Sequence, residues 1–217
     1  MSDPAVLPSP APKEPLKQEQ KSAFRWTELL QVVCMTLAIV IPIRLFLANP
    51  FKVQGASMEP AFFDHEYLIV DELTYRFEEP KRGEVVVFHP PTDRSKYYIK
   101  RVIGLPGETV ELVNGVVKVY NKEHPTGWVL DEASYLDLSD YSAQERASMT
   151  MQPMTLGEDE YFLMGDNRRA SYDSRFFGPV QRPALTGRAW LRGLPIQRWG
   201  ILTHVPDYPK PATQEAR

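Results

Sequence analysis

One apolar run constrains this 217-residue chain more than any other feature: Leu29-Leu-Gln-Val-Val-Cys-Met-Thr-Leu-Ala-Ile-Val-Ile-Pro-Ile-Arg-Leu-Phe-Leu-Ala48. As a helix its roughly 20 residues span roughly 30 Å, the thickness of a bilayer's hydrocarbon core. Gln31, Pro42 and Arg44 interrupt it, and Arg44 lies near the end, where a long cationic side chain snorkels to the headgroups. Three readings compete. A buried soluble helix needs partners on every side, and the preceding residues offer none. A cleaved leader has a shorter apolar stretch with small residues before the cut, whereas a cut after Ala48 leaves Phe46 at −3. A retained single span over 28–48 meets neither objection. Lys13, Lys17, Lys21 and Arg25 precede it and favour a cytoplasmic N-terminus, a signal diluted by Asp3, Glu14 and Glu19.

The flanks differ in kind. Residues 1–27 carry five prolines among Ser, Lys, Glu and Gln and read as a disordered tail. Mean hydropathy over the chain is −0.34, which excludes a multi-pass membrane protein but not a single span. Beyond Phe51 come short β-branched and aromatic runs at 67–70, 84–88, 97–103, 109–113 and 116–120, separated by Arg82-Gly83, Leu105-Pro106-Gly107 and Asn114-Gly115. Asn114-Gly115 between two alternating runs predicts a two-residue hairpin. The expected fold is therefore mainly β: an antiparallel domain over 49–205, with a short helix within 137–151 and a flexible tail over 206–217.

Composition excludes several chemistries. With 25 Lys and Arg against 28 Asp and Glu, the net charge of −3 argues against a protein that coats nucleic acid. Residues 1–51 hold five bases and four acids, so the remainder carries 20 − 24 = −4. The single Cys34 excludes a disulfide framework and Cys-based metal sites. His65, His89, His124 and His204 are scattered without metal-ligand spacing and read as surface or loop residues, which leaves a Ser-His-Asp triad little support.

Three segments remain. Val53-Gln-Gly-Ala-Ser57-Met-Glu-Pro60 follows the apolar run, Tyr98-Ile-Lys100-Arg101-Val-Ile-Gly-Leu-Pro-Gly107 places a lysine in a hydrophobic strand, and Gly165-Asp-Asn-Arg-Arg-Ala-Ser171-Tyr-Asp173-Ser-Arg175 is a dense polar loop. Singly they read first as an ordinary turn or helix cap, a strand with a solvent-facing Lys and a salt-bridged loop. Together they supply a nucleophile, a base and a hydroxyl to orient it. A serine is activated by a neutral lysine when burial disfavours the ammonium. Lys100 shares a strand face with Tyr98 and Val102, the apolar surroundings such a shift requires.

In that order, and behind an N-terminal span, the segments resemble the boxes of type I signal peptidases, membrane-anchored serine proteases that remove signal peptides. Gly187-Arg-Ala-Trp190 and Leu191–Leu202 resemble the family's closing strand, so the likeness runs from Leu29 to Leu202. It implies that Ser57 is the nucleophile, that Lys100 is the general base, and that Ser171 hydrogen-bonds the Lys100 amine. It makes Asp173 and Arg175 a supporting ion pair and the Ser57 N–H an oxyanion donor. Some members place a serine two residues before the nucleophile; here that residue is Gly55. The family's Thr-Leu after the first box is Ala61-Phe62 here.

The resemblance further implies cleavage after small residues at −1 and −3, with the substrate bound as an extended strand. By position, Phe51, Val53, Met58, Phe62, Tyr98 and Ile99 are the expected pocket walls. No metal, nucleotide or other cofactor is implied. The expected partners are signal peptides of preproteins and the lipid bilayer, without nucleic acid, and the chain is expected to be a monomer. The catalytic domain is expected on the non-cytoplasmic side, of a plasma membrane or an internal photosynthetic one. Residues 121–157 read as an exposed insertion without assigned chemistry. Two rivals stand beside this reading. An inert single-pass binding module on the same fold has no need of Ser57, Lys100 and Ser171. An SOS-type self-cleaving repressor would carry a soluble DNA-binding domain where this chain has its apolar run.

Overall fold

The structure is a computed structural model that describes residues 26–42, 49–202 and 208. Residues 1–25 of the expected tail, residues 43–48 of the expected anchor, His204 and nearly all of the expected C-terminal tail lie outside the described residues. The chain divides into two compact units, residues 1–40 and 41–217. In the first, helix α1 (Trp26–Pro42) has 17 residues, starting just before the expected span. From Trp26 to Val40 its side chains are exposed on every side, Leu30, Val32 and Ile39 among them. Among the described residues no helix is long and apolar enough to cross a membrane.

The second unit is mainly antiparallel β. Twelve strands are described: β1 (Asn49–Lys52), β2 (Tyr67–Asp71), β3 (Val85–Phe88), β4 (Tyr98–Gly104), β5 (Thr109–Val113), β6 (Val116–Tyr120), β7 (Trp128–Val129), β8 (Met151–Thr155), β9 (Glu160–Met164), β10 (Val180–Gln181), β11 (Leu185–Leu194) and β12 (Gly200–Ile201). Short helices α2 (Ala143–Ser148) and α3 (Ser174–Phe177) interrupt them. The larger sheet runs β1-β2-β11-β3-β4-β9-β10, with β12 paired to β11, and the smaller runs β7-β6-β5-β8.

Cover on both faces explains why Val102–Ile103 of β4 and Tyr161–Met164 of β9 are apolar without alternation. Val102 on β4, with Tyr161 and Leu163 on β9, enters one core with Val86, Phe88 and Leu185. Ile103, Phe162 and Met164 point the other way, into a second core with Val110, Leu112, Val117 and Val119 of the smaller sheet. Strands covered on both faces lose the polar half of the two-residue period. At Gly104 an added Cβ would lie 2.5 Å from Val110 Cγ2, so a side chain there would push the two sheets apart. The hairpin forms as expected, with Asn114 at φ 53° and Gly115 at φ 81°, the left-handed pair a tight turn requires.

The section over 121–157 is less of an excursion than its composition suggested. β7 and β8 pair with β6 and β5 and complete the smaller sheet. Leu130 and Leu156 enter the second core, while Tyr135, Leu136, Tyr141 and Met149 build a small core of their own. The larger sheet curls: the Phe51 ring of β1 meets Tyr97, just before β4, edge to face at 5.1 Å. That curl creates the cleft in which the three polar segments converge.

Candidate active site

β1 ends in a loop that carries Ser57. Val53 N–H donates to Glu66 O at 2.8 Å and His65 N–H to Val53 O at 3.0 Å, closing the loop at its base. Gly55, at φ +83°, turns the chain, and its N–H donates to Asp64 Oδ1 at 2.9 Å. Met58 and Phe62 point inward, fully or almost fully buried with Val53, Leu68 and Ala189. These contacts hold Ser57 half-buried at the crest of the loop. Met58 and Phe62 are thus core rather than cleft walls; the helical turn closed by Phe62 N–H to Met58 O puts both on its inner side.

Lys100 lies on β4, paired to Val86 of β3. Its residue exposure is 4%, and its Nζ donates to Ser57 Oγ at 2.7 Å and to Ile99 O at 2.8 Å. Burial pushes the amine down to about 8, against the opposing pull of the Asp173 and Asp166 carboxylates. The Lys100 amine and the Ser57 hydroxyl therefore meet within proton-transfer distance, from positions 43 apart in sequence.

The loop after β9 forms the third wall. Asp173 is fully buried. Arg175 grips it through Nε to Oδ1 and Nη2 to Oδ2, both at 2.8 Å. Burial alone would raise the Asp173 carboxyl, but the Arg175 hydrogen bonds and charge outweigh it and hold the group below the usual range. Asp173 Oδ2 also accepts from Gly165 N–H at 3.0 Å, so the ion pair sets the path of the loop. Ser171 reaches this wall but does not make the bond expected of it: Lys100 Nζ uses Ser57 and Ile99 instead, and the Ser171 hydroxyl lies close enough to Asp173 to help hold that carboxyl down.

The cleft has a volume of about 710 Å³. Of the expected wall residues, Phe51, Val53, Tyr98 and Ile99 line it beside Ser57 and Lys100. Leu68, Val87, Tyr97 and Tyr172 also line it, and position in the motifs did not single them out. The ladder between β4 and β9 begins at Arg101 opposite Met164, so along Tyr98–Lys100 one edge of β4 has no strand beside it. β1 is the edge strand of the same sheet. The Ser57 N–H makes no hydrogen bond among the described residues. Two further residues escaped the sequence reading. Asn167 N–H donates to Ser57 O at 3.1 Å, and Gly165 packs so closely that an added Cβ would lie 2.5 Å from that oxygen. Among the described residues no group of three or more His, Cys, Asp or Glu is placed to hold a metal ion.

A curled antiparallel sheet sets a buried lysine against a serine, and comparison with known proteins gives the class as serine endopeptidases. The signal peptidase (peptidase S26) family profile matches residues 26–193. A probable signal peptidase I-2 of Synechocystis sp. is 35% identical over 193 residues, covering 86% of this chain and 82% of the relative. Signal peptidase I of Leptolyngbya laminosa is 32% identical over 217 residues, covering 96% of this chain and all of the relative. A solved signal peptidase I from Enterococcus faecalis is 29% identical, covers 51% of this chain and 97% of its own, and has a TM-score of 0.42. The chain belongs to the signal peptidase family, peptidase S26, and is a serine endopeptidase.

Proposed function

We propose that this chain is a membrane-anchored signal peptidase that removes N-terminal signal peptides from exported preproteins with a Ser57–Lys100 dyad. The observation that carries the reading is the 2.7 Å contact between Lys100 Nζ and Ser57 Oγ, with the amine pushed down to about 8 by burial. When Lys100 is neutral its lone pair accepts the Ser57 proton, and Oγ attacks the scissile carbonyl carbon. The Ser57 N–H faces the developing oxyanion, with no side-chain donor at Gly55 to assist. The resulting ammonium returns its proton to the leaving amine, which departs as the mature protein's new N-terminus. Lys100, neutral again, takes a proton from water, whose oxygen attacks the ester carbonyl; as the bond to Oγ breaks the ammonium returns that proton to Ser57 Oγ, and the signal peptide leaves with a free carboxylate. Ser171, Asp173 and Arg175 keep the third wall in place around the amine.

The specificity proposed is for small residues at −1 and −3. A substrate strand in the cleft finds unpaired main chain along β4 at Tyr98–Lys100 and along β1, so strand addition fixes its register. Alternate side chains then face the same wall, where Phe51, Val53, Tyr98 and Ile99 leave little room for bulk. The apolar run Leu29–Ala48 serves as the anchor, with the N-terminus cytoplasmic and the catalytic unit across the membrane. Anchoring confines enzyme and substrate to one surface, which raises their effective concentration.

The test is cleavage of an Ala-x-Ala preprotein by the full chain in detergent. The wild type is expected to cut after the second Ala, and Ser57→Ala and Lys100→Ala to release no product. Full activity in either variant overturns the dyad. Carbonate-washed membranes should retain the full chain and lose one lacking residues 28–48; equal retention would refute the anchor.

A further inference from the structure

The loop at 165–168 lies between the nucleophile and the inserted section, and Arg101 of β4 holds its Asp166 through Nε to Oδ1 at 2.8 Å and Nη2 to Oδ2 at 2.6 Å. On one side it meets the nucleophile: Asn167 N–H donates to Ser57 O at 3.1 Å, and Gly165 packs against that same oxygen and against Ser171 Oγ. On the other side it is gripped by the section over 121–157. The Arg168 side chain is almost fully buried and meets both carboxylate oxygens of Glu132, Nη1 donating to Oε2 at 3.3 Å and Nη2 to Oε1 at closer range. Arg168 Nε donates to Gly165 O at 3.1 Å, and its main-chain N–H donates to Tyr141 Oη at 3.2 Å. Tyr135 Oη donates to Glu132 Oε1 at 2.8 Å and fixes the carboxylate. Arg175 closes the circuit by donating to Arg168 O at 3.0 Å.

A guanidinium buried without its counter-charge costs several kcal/mol, so Arg168 keeps this path only while Glu132 is present. Without that carboxylate an Arg168 turning toward water would pull on Gly165 O and Asn167 N–H, against the hold of Asp173 on Gly165 N–H and of Arg101 on Asp166. The Ser57 carbonyl then loses its tether, one residue's backbone away from Oγ. A misplacement on the order of 1 Å at a reacting atom is worth about 100-fold in rate.

We infer that Glu132, in the section inserted between the Lys100 strand and the polar loop, is a positioning residue for the Ser57–Lys100 site, acting through Arg168. The inference rests on the dyad reading. It gives the inserted section a part in the reaction beyond completing the smaller sheet.

The test compares Glu132→Gln, Arg168→Gln and the double variant with wild type and Ser57→Ala, all as full chains in detergent at a temperature where each is folded. Glu132→Gln is expected to lower kcat by about 10- to 100-fold with KM within about twofold, because the cleft walls that bind the substrate are untouched. The double variant should be no slower than the slower single variant, since both break one link. Hydrogen exchange in peptides covering 165–171 should quicken in step with the loss of kcat. Glu145→Gln is the comparator: Glu145 pairs with Arg169 of the same loop at 2.9 Å, but in an exposed bridge, and should stay within about twofold of wild type. A Glu132→Gln enzyme with a lower melting temperature but wild-type kcat overturns the inference and leaves the bridge a stability element. Multiplying losses in the double variant overturn it too. A Ser57→Ala chain that still cleaves would sink the dyad reading instead, whatever Glu132 does.

Discussion

Replacing Lys100 with methionine separates the cost of the catalytic amine from its use. The folded protein holds this amine at about 8, against 10.5 for an ordinary lysine. At pH 7 the folded and unfolded chains both carry the ammonium, so folding bears the whole difference, about 3 kcal/mol at 1.36 kcal/mol per pH unit. Methionine fills a similar volume without charge but gives up the hydrogen bonds to Ser57 Oγ and Ile99 O, worth about 1 kcal/mol each. The variant should therefore be inactive yet more stable than wild type at pH 7 by about 1 kcal/mol. The sign follows from proton counting. Between about 8 and 10.5 the unfolded chain binds more protons than the folded one, so wild-type stability rises with pH in that window. At pH 10 only about 1 kcal/mol of the cost remains, and the variant should be the less stable by about 1 kcal/mol. Other titrations are common to both proteins and cancel in the comparison. The decisive quantity is the change in their stability difference between pH 7 and pH 10, about 2.5 kcal/mol, read from urea denaturation at the two pH values. A difference that is the same at both pH values would refute the claim that folding suppresses the ammonium.

If Lys100 is the base as proposed, kcat/KM for an Ala-x-Ala peptide should rise about tenfold from pH 7 to pH 9 with a midpoint near 8, and a profile still climbing steeply at pH 10 would contradict an amine lowered by burial. Gly165→Ala places a methyl group 2.2 Å from Ser171 Oγ and 2.5 Å from Ser57 O, so single-turnover cleavage should fall at least about 100-fold, with about 1–3 kcal/mol of stability lost. Cleavage at the wild-type rate would show that the loop and nucleophile are not packed this closely. Phe162→Ala, at a fully buried site between the sheets, should cost about 3–5 kcal/mol in denaturation, whereas Phe176→Ala, 64% exposed, should change stability by about 0.5 kcal/mol or less.

The β strands were legible wherever one pattern dominated. The runs at 109–113 and 116–120 are strands with those same bounds, because alternation and Asn114-Gly115 act together on a short stretch. The strand carrying Lys100 was legible too, displaced by one residue from the 97–103 run. Ser57 and Lys100 stood out as residue types in three ordered segments, and the fold sets them side by side. Spacing said nothing about which way a turn residue faces, so Met58 and Phe62 passed for cleft walls while the turn buries both. The inserted section misled through composition. β7 has two residues and β8 contains Pro153, tolerated because β8 is an edge strand, and neither leaves a recognisable pattern. Glu132 and Arg168 lie 36 residues apart, and nothing in either neighbourhood marks them as partners.

The 43-residue interval between Ser57 and Lys100 has a consequence for how the protease comes into being. In the unfolded chain Ser57 is an ordinary alcohol and Lys100 an ordinary ammonium, and neither attacks a peptide bond. In the proposed dyad the nucleophile exists only once the sheet brings the two segments together, when burial strips the amine of water and the curl sets the serine against it. On the proposed dyad, an unfolded copy has no nucleophile. Return of catalysis during refolding marks completion of the architecture, not merely the appearance of β structure.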